Sequence, residues 1–215
     1  MKGVLIVGMG IPGAGKSSVF GALADLLKRQ GKDTSLYREP EEPEWPLAVS
    51  DRTRSGYISA LTWFRSVRVP MLFQAAQDRN DGKIALVDSY YDKLIHLYFN
   101  HPNFEWLMPN NDPYRKCYQL LIEQDFVLLP DANCVISFKV DKNRWGNLVK
   151  GRGRELDRTS DLLSFHHMQK EFIDASESYC SSHNVQHIQF DNSQETLAAA
   201  AEALYQKLQK NGVIV

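Results

Sequence analysis

The run Gly10-Ile-Pro-Gly-Ala-Gly-Lys-Ser17 sets the first chemical expectation. Its G-x-x-x-x-G-K-S spacing is that of a phosphate-binding loop. Gly10, Gly13 and Gly15 let the backbone turn its N–H groups inward around phosphates. Lys16 is placed to reach the β- and γ-phosphates, and the Ser17 hydroxyl to hold Mg²⁺. Ala14 and Ser18 complete the set expected to contact ATP. The context fits: Val4 to Val7 read as a buried strand, and Lys16 to Gln30 as a helix whose N-terminal dipole favours an anion. The bland alternative is a glycine-rich turn that binds nothing.

Phosphoryl transfer needs a metal, a cation at the transferring group and an acceptor site. Asp88 ends the apolar run Ile84–Val87, where a strand-end carboxylate can bind Mg²⁺ or orient the acceptor. The alternative is an acidic residue at a turn. Lys150-Gly-Arg-Gly-Arg-Glu-Leu-Asp-Arg158 is the densest basic cluster. Its glycines predict a mobile lid rather than a packed helix, with Arg152 and Arg154 supplying charge to the phosphoryl group in flight. The bland alternative is a solvated basic loop.

On the acceptor side, Arg38 is a candidate for a phosphate, and Glu39 for the proton of a hydroxyl. Phe73 can stack on a base, Gln74 can pair with its edge, and Arg79 follows at the helix end. Spacing alone also allows Phe73 in the core and Gln74 in solvent. His166 and His167, adjacent in a predicted helix, point in different directions and read as structural.

These groups need a scaffold. Strands are predicted at Val4–Val7, Thr34–Tyr37, Ile84–Val87, Cys134–Val140 and Val185–Phe190. Helices are predicted at Lys16–Gln30, Gly56–Arg79, Tyr91–Phe99, Tyr114–Phe126, Ser160–Ser181 and Glu195–Lys210. Strands alternating with helices imply a parallel sheet covered on both faces. The acidic, proline-rich Glu39–Pro46 follows a strand end, where such sheets place ligands. Asn100 to Pro113 reads as a loop with Phe104 and Trp106, either a connector or a cover for a ligand.

The chain has 215 residues and a formal charge of −1, which suits one domain and gives no sign of a nucleic-acid surface. No stretch is long and apolar enough to span a membrane, and the start leads into the phosphate loop rather than a cleavage site. Cys117, Cys134 and Cys180 are odd in number and far apart, which argues against a disulfide framework or a zinc site and suits the cytoplasm.

In order and type, these pieces resemble the thymidylate kinase family and, more loosely, the deoxynucleoside kinases. Arg38-Glu39-Pro40 is similar to the first family's T-R-E-P step, and Leu72-Phe73 with Asp78-Arg79 to its L-F-A-A-D-R helix. Asp88-Ser89-Tyr90 stands where that family has D-R-Y. Pro130-Asp131 resembles its P-D-L-T step, and Leu156 to His166 its run after the lid. Two departures are visible: Pro12, Gly13 and Ala14 carry no acidic residue, and Ser89 replaces an arginine that holds the acceptor phosphate. Phe73-Gln74 and Glu39-Pro40…Trp45 resemble deoxynucleoside kinase motifs, in which the glutamate acts on a 5′-hydroxyl.

The resemblance implies a P-loop, nucleoside-monophosphate-kinase-like three-layer α/β/α sandwich over residues 1–215, with a short lid at about 150–158. It implies transfer of the γ-phosphate of Mg·ATP to a nucleoside monophosphate, the favoured acceptor. The alternatives are a deoxynucleoside, another small metabolite, or a nucleotide-dependent switch without transfer. Thymidylate kinases are commonly dimers, so the resemblance also implies a homodimer.

Overall fold

The structure, a computed structural model, describes residues 3–50, 56–152 and 166–214. Five parallel strands form one sheet: β1 (Val4–Met9), β2 (Thr34–Tyr37), β3 (Ile84–Val87), β4 (Cys134–Lys139) and β5 (Gln186–Asp191), in the order β2-β3-β1-β4-β5. Every β1 residue is buried, as a central parallel strand covered on both faces requires. Edge strand β5 instead alternates, with Ile188 and Phe190 buried and Gln189 and Asp191 exposed.

The helices are α1 (Lys16–Arg29), α2 (Leu47–Ser50), α3 (Tyr57–Asn80), α4 (Tyr91–Leu94), α5 (Arg115–Leu128), α6 (Lys142–Arg152), α7 (Gln169–His183) and α8 (Leu197–Lys210). The chain runs leftward from β1 to β2 through α1, then rightward through α3, α5 and α7. Right-handed crossovers therefore put α1 on one face and the other three on the opposite face. Helix α8 packs against α1, and α3 and α7 lie against the sheet. The result is the expected three-layer α/β/α architecture with an all-parallel sheet.

Pairing register aligns the ends that matter. Val7 is paired with Val87, and Val87 with Tyr37, so β1, β3 and β2 finish side by side. Beyond them the ladder continues: Asp88 N–H donates to the Tyr37 carbonyl at 3.1 Å, and Tyr90 N–H to the Gly8 carbonyl at 3.0 Å. Glu39, Asp88 and the phosphate loop thus leave one edge of the sheet together, at the carboxyl ends where open α/β sheets bind ligands. Phe20 of α1 packs edge-on to Phe138 of β4, with ring centroids 5.6 Å apart, so the helix behind the loop is anchored in the core.

Three elements differ from the sequence expectation. The stretch Tyr91–Phe99 is a four-residue α4 followed by a 3₁₀ turn at Ile95–Leu97. Segment 100–113 packs onto the core rather than looping free of it: Phe104 and Met108 are fully buried, and Trp106 meets Tyr57 edge-on. Helix α6 was not expected, and Lys150, Gly151 and Arg152 form its last turn instead of a free loop. Its glycines and low hydrophobicity conceal it; buried Trp145 and Val149, four residues apart, hold it down. Arg154, the rest of the 150–158 lid and the Leu156 to Phe165 run lie outside the described residues.

Candidate active site

A cavity of about 370 Å³ opens at the carboxyl edge of the sheet. Its floor is the phosphate loop and the first residues of α1: Gly10, Gly13, Gly15, Lys16, Ser17 and Ser18 all line it. Gly15 caps α1 with φ +84°, a left-handed conformation that glycine adopts without strain. The first turn of α1 has no acidic residue, so the positive end of its dipole stands uncompensated beneath the cavity. Lys16 Nζ donates to the carbonyls of Gly10 at 2.9 Å and Ile11 at 3.2 Å, which fixes the ammonium over the loop. Ala14 does not line the cavity: it is buried, and its carbonyl accepts a 2.8 Å bond from Asn192 Nδ2.

Helix α6 closes the loop from outside. Trp145 Nε1 donates to the Pro12 carbonyl at 2.8 Å. A Cβ added to Gly13 would lie 2.6 Å from Val149 Cγ2 and 3.1 Å from an Arg152 guanidinium nitrogen. Arg152 therefore sits against the loop and lines the cavity. Gly13→Ala strains the backbone at φ +82° and pushes α6 outward. It is expected to cost about 1–3 kcal/mol in stability and to weaken ATP binding, read by thermal melting and nucleotide titration; unchanged ATP affinity would mean that α6 does not hold the loop's working shape.

Two carboxylates share the cavity. Asp88 is buried, and its Oδ1 accepts the Glu39 backbone N–H at 3.2 Å. Burial and the Glu39 charge push the Asp88 carboxyl up to about 6, against the Ser17 hydroxyl bond and the Lys16 charge. For Glu39, burial pushes the same way, but the charges of Arg68 and Lys16 and bonds from Arg68 and Ser89 together hold it below the usual carboxylate range. Burial lowers Lys16 despite the two carboxylates.

The acceptor-side expectations meet a correction. Glu39 lines the cavity, but Arg38, Phe73, Gln74 and Arg79 do not. Arg38 is exposed, and its guanidinium covers Gly21 of α1, where a Cβ would lie 1.9 Å from its terminal nitrogen. Phe73 is 51% exposed on the outer side of α3. Gln74 is exposed as well, and Arg79 donates to the Asp131 carbonyl at 2.8 Å.

Other residues of α3 take the place expected for them. Tyr57, Ala60, Leu61, Phe64 and Arg68 line the cavity, with Trp45 packed edge-on to Phe64 at 5.3 Å. Arg68 is buried: Nε and Nη2 bind the two Asp92 oxygens at 2.6 and 2.9 Å, and Nη1 binds Glu39 Oε1 at 2.9 Å. Phe64 and Arg68 stand four apart, the spacing that puts two side chains on one helix face, and that signal was available in the sequence.

Chemically, one end of the cavity offers loop amides, Lys16 and Arg152 to phosphates. The other offers a polar corner at Glu39 and aromatic walls from Trp45, Tyr57 and Phe64. Among the described residues no cluster of three or more His, Cys, Asp or Glu is arranged to hold a metal, and no helix is long and apolar enough to cross a membrane.

No protein-family model matches the chain. A probable thymidylate kinase of Pyrococcus abyssi is 25% identical over 175 residues, 75% of this chain and 78% of that one. A thymidylate kinase of Xanthomonas campestris pv. campestris is 31% identical over 99 residues, 43% of each. Among solved structures, the deoxyadenosine kinase of M. mycoides with bound dATP superposes with a TM-score of 0.68 at 18% identity, covering 96% of this chain and 99% of that one. In sequence and fold the chain is P-loop kinase-like.

Proposed function

We propose that the chain is an ATP-dependent P-loop kinase that phosphorylates a hydroxyl of a nucleoside. Residues 1–215 act as one unit, with α6 and the segment after it as a short lid. The loop amides and Lys16 hold the donor phosphates, and Arg152 and Arg154 meet the transferring group. Ser17 and Asp88 would hold Mg²⁺, which needs few protein ligands because phosphates and waters fill its shell. It would draw negative charge off the β- and γ-oxygens. Glu39 takes the acceptor proton, and Trp45, Tyr57 and Phe64 flank the base.

The observation that carries this reading is the charge at the acceptor corner. Arg68 has its one positive charge already committed to Glu39 and Asp92, and the other cation acting on Glu39, Lys16, is bound to the loop carbonyls. Arg38 lies outside the cavity, and position 89 is a serine. A phosphate 4 Å from Glu39 would meet a repulsion of about 4 kcal/mol per charge at an effective dielectric of 20. A neutral hydroxyl meets none and gains a base.

A nucleoside monophosphate is the second reading, favoured by the relatives named thymidylate kinase. Steady-state kinetics on matched nucleosides and monophosphates tests the choice. The wild type is expected to turn over nucleosides, and Arg38→Ala to change neither acceptor KM nor ATP KM by more than about twofold, the scale of a surface substitution. Activity on monophosphates alone, with acceptor KM raised by Arg38→Ala, overturns the reading.

A further inference from the structure

We propose that Arg68, gripped from behind by Asp92, is the positioning residue for the Glu39 carboxylate, and that it does this from helix α3. The proposal rests on the reading of Glu39 as the base.

A guanidinium is planar, and its donors form a rigid fork. Asp92 engages the Nε and Nη2 edge with both oxygens. That fixes the plane and leaves Nη1 aimed in one direction, where it meets Glu39 Oε1 at 2.9 Å. The Phe64 and Tyr91 rings lie 5.5 and 5.1 Å from the guanidinium carbon and restrain it further. Arg68 has 7% of its surface exposed and Asp92 4%, so the pair is isolated from water that would loosen it. Glu39 is less sheltered than this pair. Its side chain keeps 36% of its surface open to the cavity, and it follows a short edge strand. Without an external anchor it would sample several rotamers. The Ser89 hydroxyl also bonds Glu39, so position 89 is within reach of the same carboxylate.

In the transfer step the acceptor O–H bond breaks, its proton passes to Glu39, and the oxygen bonds to the γ-phosphorus. The γ-phosphorus–oxygen bond to ADP breaks, and ADP keeps the electron pair. A base off its line by about 1 Å loses on the order of 10²-fold in rate without losing substrate. Arg68 thus acts on kcat through Glu39 rather than on acceptor binding.

The test compares Arg68→Met/Asp92→Asn, which removes both partners so that no lone buried carboxylate remains, with Arg68→Lys and with the double variant carrying Ser89→Arg. Each is melted and assayed with the best nucleoside acceptor and ATP. The double variant is expected to melt cooperatively and to lose about 10–10²-fold in kcat, with acceptor and ATP KM near wild type. Arg68→Lys, which keeps charge but loses the fork, should also lose kcat. Adding Ser89→Arg should recover at least tenfold. A raised acceptor KM at unchanged kcat, a wild-type kcat in Arg68→Lys, or no recovery with Ser89→Arg overturns the proposal. Glu39→Gln in the same assay separates the two levels. If it keeps full kcat, the base reading itself falls; if it loses kcat while the Arg68 variants do not, only the positioning role falls.

Discussion

Lys16→Ala is expected to lower phosphoryl transfer by at least ~10²-fold and to shift the melting temperature little. The rate effect follows from where the ammonium is held. Two carbonyls of the loop, Gly10 and Ile11, fix Nζ above the floor of the cavity, and burial surrounds it with little water. A preorganised cation in such a site stabilises developing phosphate charge by about 2.7–4 kcal/mol, the scale of a lost oxyanion donor. The substitution also leaves Glu39 and Asp88 facing each other with one cation fewer. The fold depends on Lys16 much less, because its polar contacts are made to its own loop rather than to the core. The measurement is single-turnover ADP formation with excess enzyme, beside a thermal melt. Wild-type turnover in a folded variant would remove the kinase reading altogether.

How far the sequence disclosed this site depends on the element. The central strands could be read because a parallel sheet buried on both faces writes continuous apolar runs, and β1 and β3 lie where those runs are, whereas edge strand β2 is only partly buried. The phosphate loop was legible because its chemistry needs fixed spacing. Helix α3 was found, but Phe73, Gln74 and Arg79, chosen on it for the acceptor, lie outside the cavity that its earlier turns line. Its residues are mixed because its first half faces the cavity and its second half, with Leu72, Ala75 and Ala76 buried, faces the sheet. The cavity-lining and sheet-facing residues share one broad face, but that face carries Arg68 while Phe73, outside it, is apolar, so apolar periodicity alone did not orient the helix. At about 100° per residue, Phe73 lies roughly 180° around the helix from Phe64, which explains why one is exposed and the other lines the cavity. The spacing of Arg68 from Phe64 was legible, but its ion-pair partners were not. Its partners Glu39 and Asp92 are 29 and 24 residues away, and only the sheet order brings them together.

Glu39→Gln is expected to lower kcat on a nucleoside by ~10²–10⁴-fold, the worth of a positioned general base, while ATP KM stays near wild type. Glutamine keeps the shape of the side chain, and its amide oxygen can still accept from Arg68 Nη1. Arg68 remains gripped by both Asp92 oxygens, so the cavity wall stays in place. What disappears is the basic oxygen and one negative charge. Those two losses pull in opposite directions for the two acceptor classes. A nucleoside loses its proton acceptor and gains nothing in binding. A monophosphate loses a repulsion of about 4 kcal/mol per charge at 4 Å, so its KM would fall and its kcat would hold or rise. One variant therefore separates the readings by the sign of its effect rather than by its size. Steady-state kinetics on a nucleoside and its own monophosphate, with wild type and Glu39→Gln side by side, supplies the comparison. Improved use of the monophosphate, with no loss on the nucleoside, would mean that Glu39 guards the corner against charge and does not take the proton.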